Sequence, residues 1–90
     1  MSISVIVPTL LRPLTHGEKK VSTQGNSVAE AIEHLDQQYP GIKARLVNAE
    51  QVHRFVNIYV NEDDIRFADG LNTPLKAGDS LTVLPAVAGG

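Results

Sequence analysis

The sequence predicts an α+β fold in which one main helix packs on one face of a mixed sheet of about four to five strands. Three observations carry that expectation. At the start of the chain and again in its second half, in ISVIV, FVNIYV and SLTVL, side chains alternate between two faces with the period of half-buried strands. One stretch, NSVAEAIEHLDQQYPG, has helical spacing instead. A chain of 90 residues can bury one modest core but not two, so helix and strands must share it.

The first strand places Ile3, Val5 and Val7 on one face and Ser2, Ser4 and Ile6 on the other, and Pro8 ends or edges it. TLLRPLTHG is a long connection with two turn formers, Pro13 and Gly17, after which EKKVST returns as a second strand and QGN turns again. In the helix, Ser27 followed three residues later by Glu30 fits a capping box. Val28, Ala31, Ile32, Leu35 and Tyr39 form its apolar stripe, and Pro40-Gly41 stops it. IKARLVNAEQ is ambiguous and fits a short helical turn around Ile42, Ala44 and Leu46 followed by a loop. RFVNIYV then sets Val56, Ile58 and Val60 against Phe55, Asn57 and Tyr59. NEDD is a polar turn, IRF a short partner strand, ADGLNTPLKAGD a connection with Gly70, Pro74 and Gly78, and SLTVL a last strand with Leu81 and Val83 on one face. No internal repeat or linker divides the chain. A helix that follows a hairpin must lie across the sheet to hide its stripe, and the later strands join around the first, which is the β-grasp arrangement.

With helix on one face only, the opposite face is open to inspection. Ile6, Tyr59 and Leu84 share the parity of Ser4, Asn57 and Thr82, which predicts an exposed apolar patch where the chain leaves the last strand. Scattered surface apolar residues are ordinary, and periodicity alone weighs the two readings evenly. A patch beside a tail is better explained as a partner-docking face. The expected division is residues 1–84 as the β-grasp domain and 85–90 as a flexible tail, with Leu84 ending the strand and Pro85 limiting further pairing.

Composition removes several function classes. Eight Lys+Arg stand against ten Asp+Glu, with no long run of either sign, so no basic surface is built for nucleic acid or anionic membrane. There is no cysteine for a disulfide, a thiolate metal site or a thiol nucleophile. No apolar stretch is long enough to span a bilayer, and the expectation is a soluble cytoplasmic protein. His16, His34 and His53 have no metal-ligand spacing and read as surface residues. Glu62, Asp63 and Asp64 read as solvation of a turn, and Lys19 and Lys20 as protection of an edge strand. No catalytic residue and no metal site is expected.

The terminal Gly89-Gly90 is the informative feature. At average usage two glycines fill the last two positions in roughly one chain in 200. Without β-carbons the end can enter a slot that admits only backbone, and the Gly90 carboxylate is then an unhindered group on a tether. A carboxylate is inert to nucleophiles until an oxygen becomes a leaving group, which a partner using ATP and Mg²⁺ achieves by adenylation. The tail would be a substrate, with Val87, Ala88 and Gly89 threading into the partner.

The strand order ending in VAGG resembles the ubiquitin-like sulfur carriers of the ThiS/MoaD family over the whole chain. PTLLRP, HRFVNIYVNEDDIRF and LPAVAGG are most similar to the members of that family that serve cysteine biosynthesis. The resemblance implies a carrier rather than an enzyme. An E1-like adenylating and sulfurtransferase enzyme of the MoeB/ThiF type would activate Gly90, and sulfur would replace the adenylate to give a thiocarboxylate. It further implies a pyridoxal phosphate-dependent cysteine synthase as acceptor and a JAMM-type zinc metallopeptidase that releases cysteine. ATP, magnesium, pyridoxal phosphate and zinc belong to those partners, and this chain binds no cofactor. Thiamine, molybdopterin or another thio-metabolite as destination, a protein modifier conjugated through Gly90, and a plain binding module with incidental glycines are the alternatives.

Overall fold

The computed structural model describes residues 2–48, 51–52 and 56–85. In chain order these form β1 (Ile3–Ile6), a 3-10 helix (Thr9–Thr15), β2 (Lys20–Thr23), α1 (Val28–Gln38), α2 (Ile42–Leu46), β3 (Val47–Asn48), β4 (Gln51–Val52), β5 (Val56–Val60), β6 (Asp63–Asp64), two 3-10 turns (Ile65–Phe67 and Gly70–Asn72) and β7 (Ser80–Pro85). The main sheet runs β2-β1-β7-β5-β6, and β3 and β4 make a separate two-stranded ribbon. β1 pairs antiparallel with β2 and parallel with β7, while β7 pairs antiparallel with β5. The expected mixed β-grasp sheet is present, with the last strand at its centre.

The alternation in the sequence sorts the faces as expected. Ile3, Val5, Val7, Val56, Ile58, Val60, Leu81 and Val83 are buried, and α1 closes over them with Val28, Ala31, Ile32 and Leu35. The helix start has the cap half of the expected box: Ser27 Oγ accepts from Glu30 N at 3.3 Å, while Glu30 Oε1 reaches one residue past the cap and accepts from Asn26 N at 3.2 Å. Thr23 Oγ1, buried beneath the helix, donates to the Ala31 carbonyl at 2.9 Å and ties β2 to α1. Gly25 sits so close to this turn that a β-carbon there would lie 2.6 Å from Ala31 N and 2.9 Å from the Glu30 carbonyl carbon. Both neighbours are backbone and cannot step aside. Gly25→Ala is therefore expected to cost about 1–3 kcal/mol, measured as a lower urea midpoint at unchanged slope.

Four segments differ from the expectation. The long first connection contains a 3-10 helix, which buries Leu11 and Thr15 and ends at His16 in the left-handed region with φ 58°. After α2, in which Ile42 and Leu46 are buried but Ala44 is exposed, the expected loop is the β3–β4 ribbon, with Val47 opposite Val52. IRF is a 3-10 turn rather than a strand, and the partner strand of β5 is Asp63–Asp64. Asp64 Oδ1 accepts from Arg66 N at 2.8 Å and turns the chain out of the ladder. Ile65 and Phe67, which a strand would put on one face, end at 1% and 90% exposed.

The fourth is the end of β7, where Pro85 is still in the strand, opposite Val56. A proline is tolerated here for a geometric reason. The Val56 carbonyl points away from β7 and accepts from Arg66 Nη2 at 2.8 Å, so the Val56–Pro85 pair exchanges no ladder bonds. On the other side of β7 the register with β1 ends at Thr82, so the missing N–H of Pro85 leaves no partner unsatisfied.

Candidate functional site: the sheet face at the tail root

The register lays out the open face row by row. One row reads Lys20, Ile6, Thr82, Tyr59 and Asp64 across all five strands. The next row toward the chain end pairs Leu84 with Asn57. The row on the other side is polar, with Ser22, Ser4 and Ser80 abreast. Ile6 and Tyr59 are half-buried and Leu84 is 44% exposed. The structure thus brings the three expected docking residues to the tail end of one face, but Thr82 lies between Ile6 and Tyr59. Two strand spacings, about 10 Å, separate those two. The patch is a ring around a hydroxyl rather than a continuous stripe.

Arg66 completes this site, and sequence reasoning missed it. β6 covers only the Tyr59–Val60 end of β5, so the other end of that edge lacks a strand partner. The Arg66 guanidinium takes its place, donating to the Val56 carbonyl and to Asn57 Oδ1. It therefore fixes the two residues opposite Leu84 and Pro85, from which the tail departs. The available signal was Asp64 two residues before Arg66, the spacing of a side chain capping a tight turn. Phe67, the next residue, is the second exposed apolar side chain near the face that the strand assignment concealed.

Elsewhere the chemistry is structural. Asp79 accepts from Lys76 N at 2.8 Å and from the Asn61 amide at 3.2 Å, which holds its carboxyl below the usual range. Lys43 bonds Glu33, and that bond raises its ammonium above the ordinary value. A groove of about 910 Å³ between α1, β4 and the Gly70–Asn72 turn includes this ion pair in its wall. Among the described residues no three His, Asp or Glu side chains cluster as metal ligands. His34 is exposed, and His16 is exposed with its ring 5.7 Å from that of Tyr39. His53 and the tail positions Val87, Ala88, Gly89 and Gly90 lie outside the described residues.

Known proteins match this chain in sequence and in fold. The sulfur carrier protein CysO of Mycobacterium tuberculosis is 50% identical over 93 residues, covering 100% of each chain. In the crystal structure of the Amycolatopsis orientalis BexX/CysO complex, a chain 52% identical matches with a TM-score of 0.92 over 98% of this chain and 99% of that one. Small archaeal modifier protein 3 of Haloferax volcanii is 34% identical over 64 residues, 71% of this chain and 70% of its own. The model of the ThiS family matches residues 5–90, from the first strand through both terminal glycines. Sheet, tail root and Gly89-Gly90 thus fall within one match, and the chain belongs to the ThiS family.

Proposed function

We propose that this chain is a sulfur carrier whose reacting group is the carboxylate of Gly90. The observation that carries the reading is that the family match runs through Gly90, while Leu84 and Pro85 end the central strand of the sheet, at one end of its open face. From Pro85, five residues reach Gly90, and fully extended they span at most about 17 Å. A partner that takes the terminus into its active site must therefore cover the face around Leu84.

In the activating step the Gly90 carboxylate attacks the α-phosphorus of ATP on an E1-like enzyme of the MoeB/ThiF type. Pyrophosphate leaves, with Mg²⁺ balancing the phosphate charge. Hydrosulfide then attacks the carbonyl carbon, the C–O bond to AMP breaks, a proton is released and a thiocarboxylate is left on Gly90. Val87, Ala88 and Gly89 are the threading residues, and glycine at 89 keeps the slot as narrow as backbone. The destination we infer is cysteine biosynthesis, through a pyridoxal phosphate-dependent cysteine synthase and a JAMM-type zinc metallopeptidase, as the similarity to CysO supports. The chain itself needs no cofactor, and the cytoplasm, where ATP is supplied, is its place of action. No helix among the described residues is long and apolar enough to cross a membrane.

Intact-mass measurement of the chain incubated with the host's E1-like enzyme, ATP and a sulfur donor tests this. The expected product has one oxygen replaced by sulfur at the C-terminus, and an unchanged mass under those conditions rejects it. Leu84→Asp is expected to weaken binding to that enzyme about tenfold or more, because the carboxylate would be desolvated in an apolar contact. Tyr59→Asp has the same sign, but Tyr59 stands opposite Asp64, so its stability must be read in the same samples. Unchanged affinity of both variants rejects the docking face.

A second reading, a protein modifier joined through Gly90 to lysines of targets, is favoured by the similarity to the small archaeal modifier protein. Higher-mass adducts that survive reducing, denaturing gels would support it.

A further inference from the structure

We propose that the edge beyond β5, with Phe67 at its tip and Glu62, Asp63 and Asp64 around it, is a second contact for the activating enzyme. Its counterpart there is an apolar pocket ringed by lysine or arginine. This rests on the carrier reading above.

Phe67 is 90% exposed, the largest exposure among the described large apolar side chains. It is presented rather than left loose. Ile65 before it is anchored in the core, Ala68 N donates to the Ile65 carbonyl at 3.1 Å, and Arg66 between them is bonded to Asp64, Asn57 and Val56. With the backbone of the turn already bonded, only the two side-chain torsions of Phe67 remain to be ordered on binding, which favours it as an anchor. Phe67, Ala68 and Tyr59 wall a shallow depression of about 600 Å³ whose other walls are Glu62, Asp63 and Asp64.

The charge is local to this edge. Of ten side-chain carboxylates three are here, with Arg66 among them, leaving seven against seven Lys+Arg, so the chain's formal −2 sits at this edge and the rest is neutral. Among the described residues the one ion pair is Lys43–Glu33, and none of the three carboxylates takes part in it. A partner that buries Phe67 must bring cations to meet them, because a neutral rim would leave three charges at the edge of an apolar contact. A second copy of this chain in a two-fold pairing about this edge would set acid against acid. Tyr59 belongs to both surfaces: it lies beside Thr82 in the tail-root row and also lines the depression under Phe67. One enzyme covering Leu84 and Tyr59 is therefore already at the edge of Phe67.

Binding of the full-length chain to the purified E1-like enzyme of the host is the test, with association rates measured at several salt concentrations. Phe67→Ser is expected to raise Kd about tenfold or more while leaving the unfolding midpoint unchanged. The double variant Glu62→Lys, Asp63→Lys is expected to slow association and flatten its dependence on salt. Wild-type affinity of Phe67→Ser, an unaltered salt dependence of the double variant, or self-association through this edge overturns the proposal. A chain lacking Gly89 and Gly90 separates the two ideas. If that deletion is still activated, the carrier reading fails; if it is dead while Phe67→Ser binds normally, only the second contact fails.

Discussion

Deletion of Gly89 and Gly90 is expected to abolish adenylate and thiocarboxylate formation while leaving the unfolding midpoint of the chain unchanged. The two halves of that result come from different parts of the molecule. The described strand runs to Pro85, and no described core residue lies beyond Val83, so the deletion touches no described sheet pairing and no described buried side chain. The carboxylate proposed to react, in contrast, is moved back by two residues, about 7 Å of extended chain. A displacement of about 1 Å at a reacting atom already costs on the order of a hundredfold, so this one should reduce activation to background. Gly90→Ala tests the slot rather than the reach, since it keeps the length and adds one β-carbon beside the carboxylate. Pyrophosphate release and intact mass read activation, and thermal unfolding reads the fold. A truncated chain that still accepts sulfur would remove Gly90 from the chemistry.

Such a carrier needs little besides a stiff platform with one exit, and the sheet order supplies it. Because β7 lies between β1 and β5, the tail root is braced on both flanks up to Thr82 and on the β5 flank as far as Pro85. Arg66 holds the β5 side where β6 has already ended. An edge strand would leave the root braced on one side only and would offer a free ladder to other chains.

How much of this was legible follows from the range of the interactions concerned. The buried parity of Ile3, Val5, Val7, Val56, Ile58, Val60, Leu81 and Val83 is a period-two signal, and the helix start is a three-residue signal in Ser27 and Glu30. Both are local and both were readable. The strands of the β3–β4 ribbon are two residues each, too short to carry a period, and the 3-10 helix over Thr9–Thr15 holds Pro13 and buries only Leu11 and Thr15, which makes no repeat. The IRF segment misled because Ile65 and Phe67 have the spacing of a strand, whereas the deciding bond is that of Asp64 to Arg66 N. At the site, parity placed Ile6, Tyr59 and Leu84 on one face but did not show Thr82 between two of them, which depends on the pairing register. Arg66 reaches back nine residues to Asn57 and ten to Val56, contacts with no sequence pattern of their own. Val87, Ala88, Gly89 and Gly90 were argued from residue type, and that argument remains chemical.

Leu35→Ala is the converse experiment, expected to cost about 2–5 kcal/mol of stability while leaving the chemistry of Gly90 intact wherever the chain is folded. Leu35 is 1% exposed, in the last buried position of the α1 stripe, packed among residues of the sheet's inner face. Truncation removes the transfer free energy of the isobutyl group and leaves a cavity that the paired strands beneath cannot close by shifting, because β1, β5 and β7 are locked in register. Against a total of about 5–15 kcal/mol for a domain of ordinary stability, a loss of that size lowers the melting point by roughly 10–30 °C. The helix covers one face and the partner is expected on the other, so the substitution lies on the opposite side of the sheet from Leu84 and Tyr59. At a temperature well below its melting point the variant should therefore form thiocarboxylate with the KM and kcat of the parent chain. A changed KM in a fully folded sample would show that helix packing adjusts the docking face through the sheet. A parent-like KM would make the sheet a rigid partition between what stabilises the carrier and what the enzyme recognises.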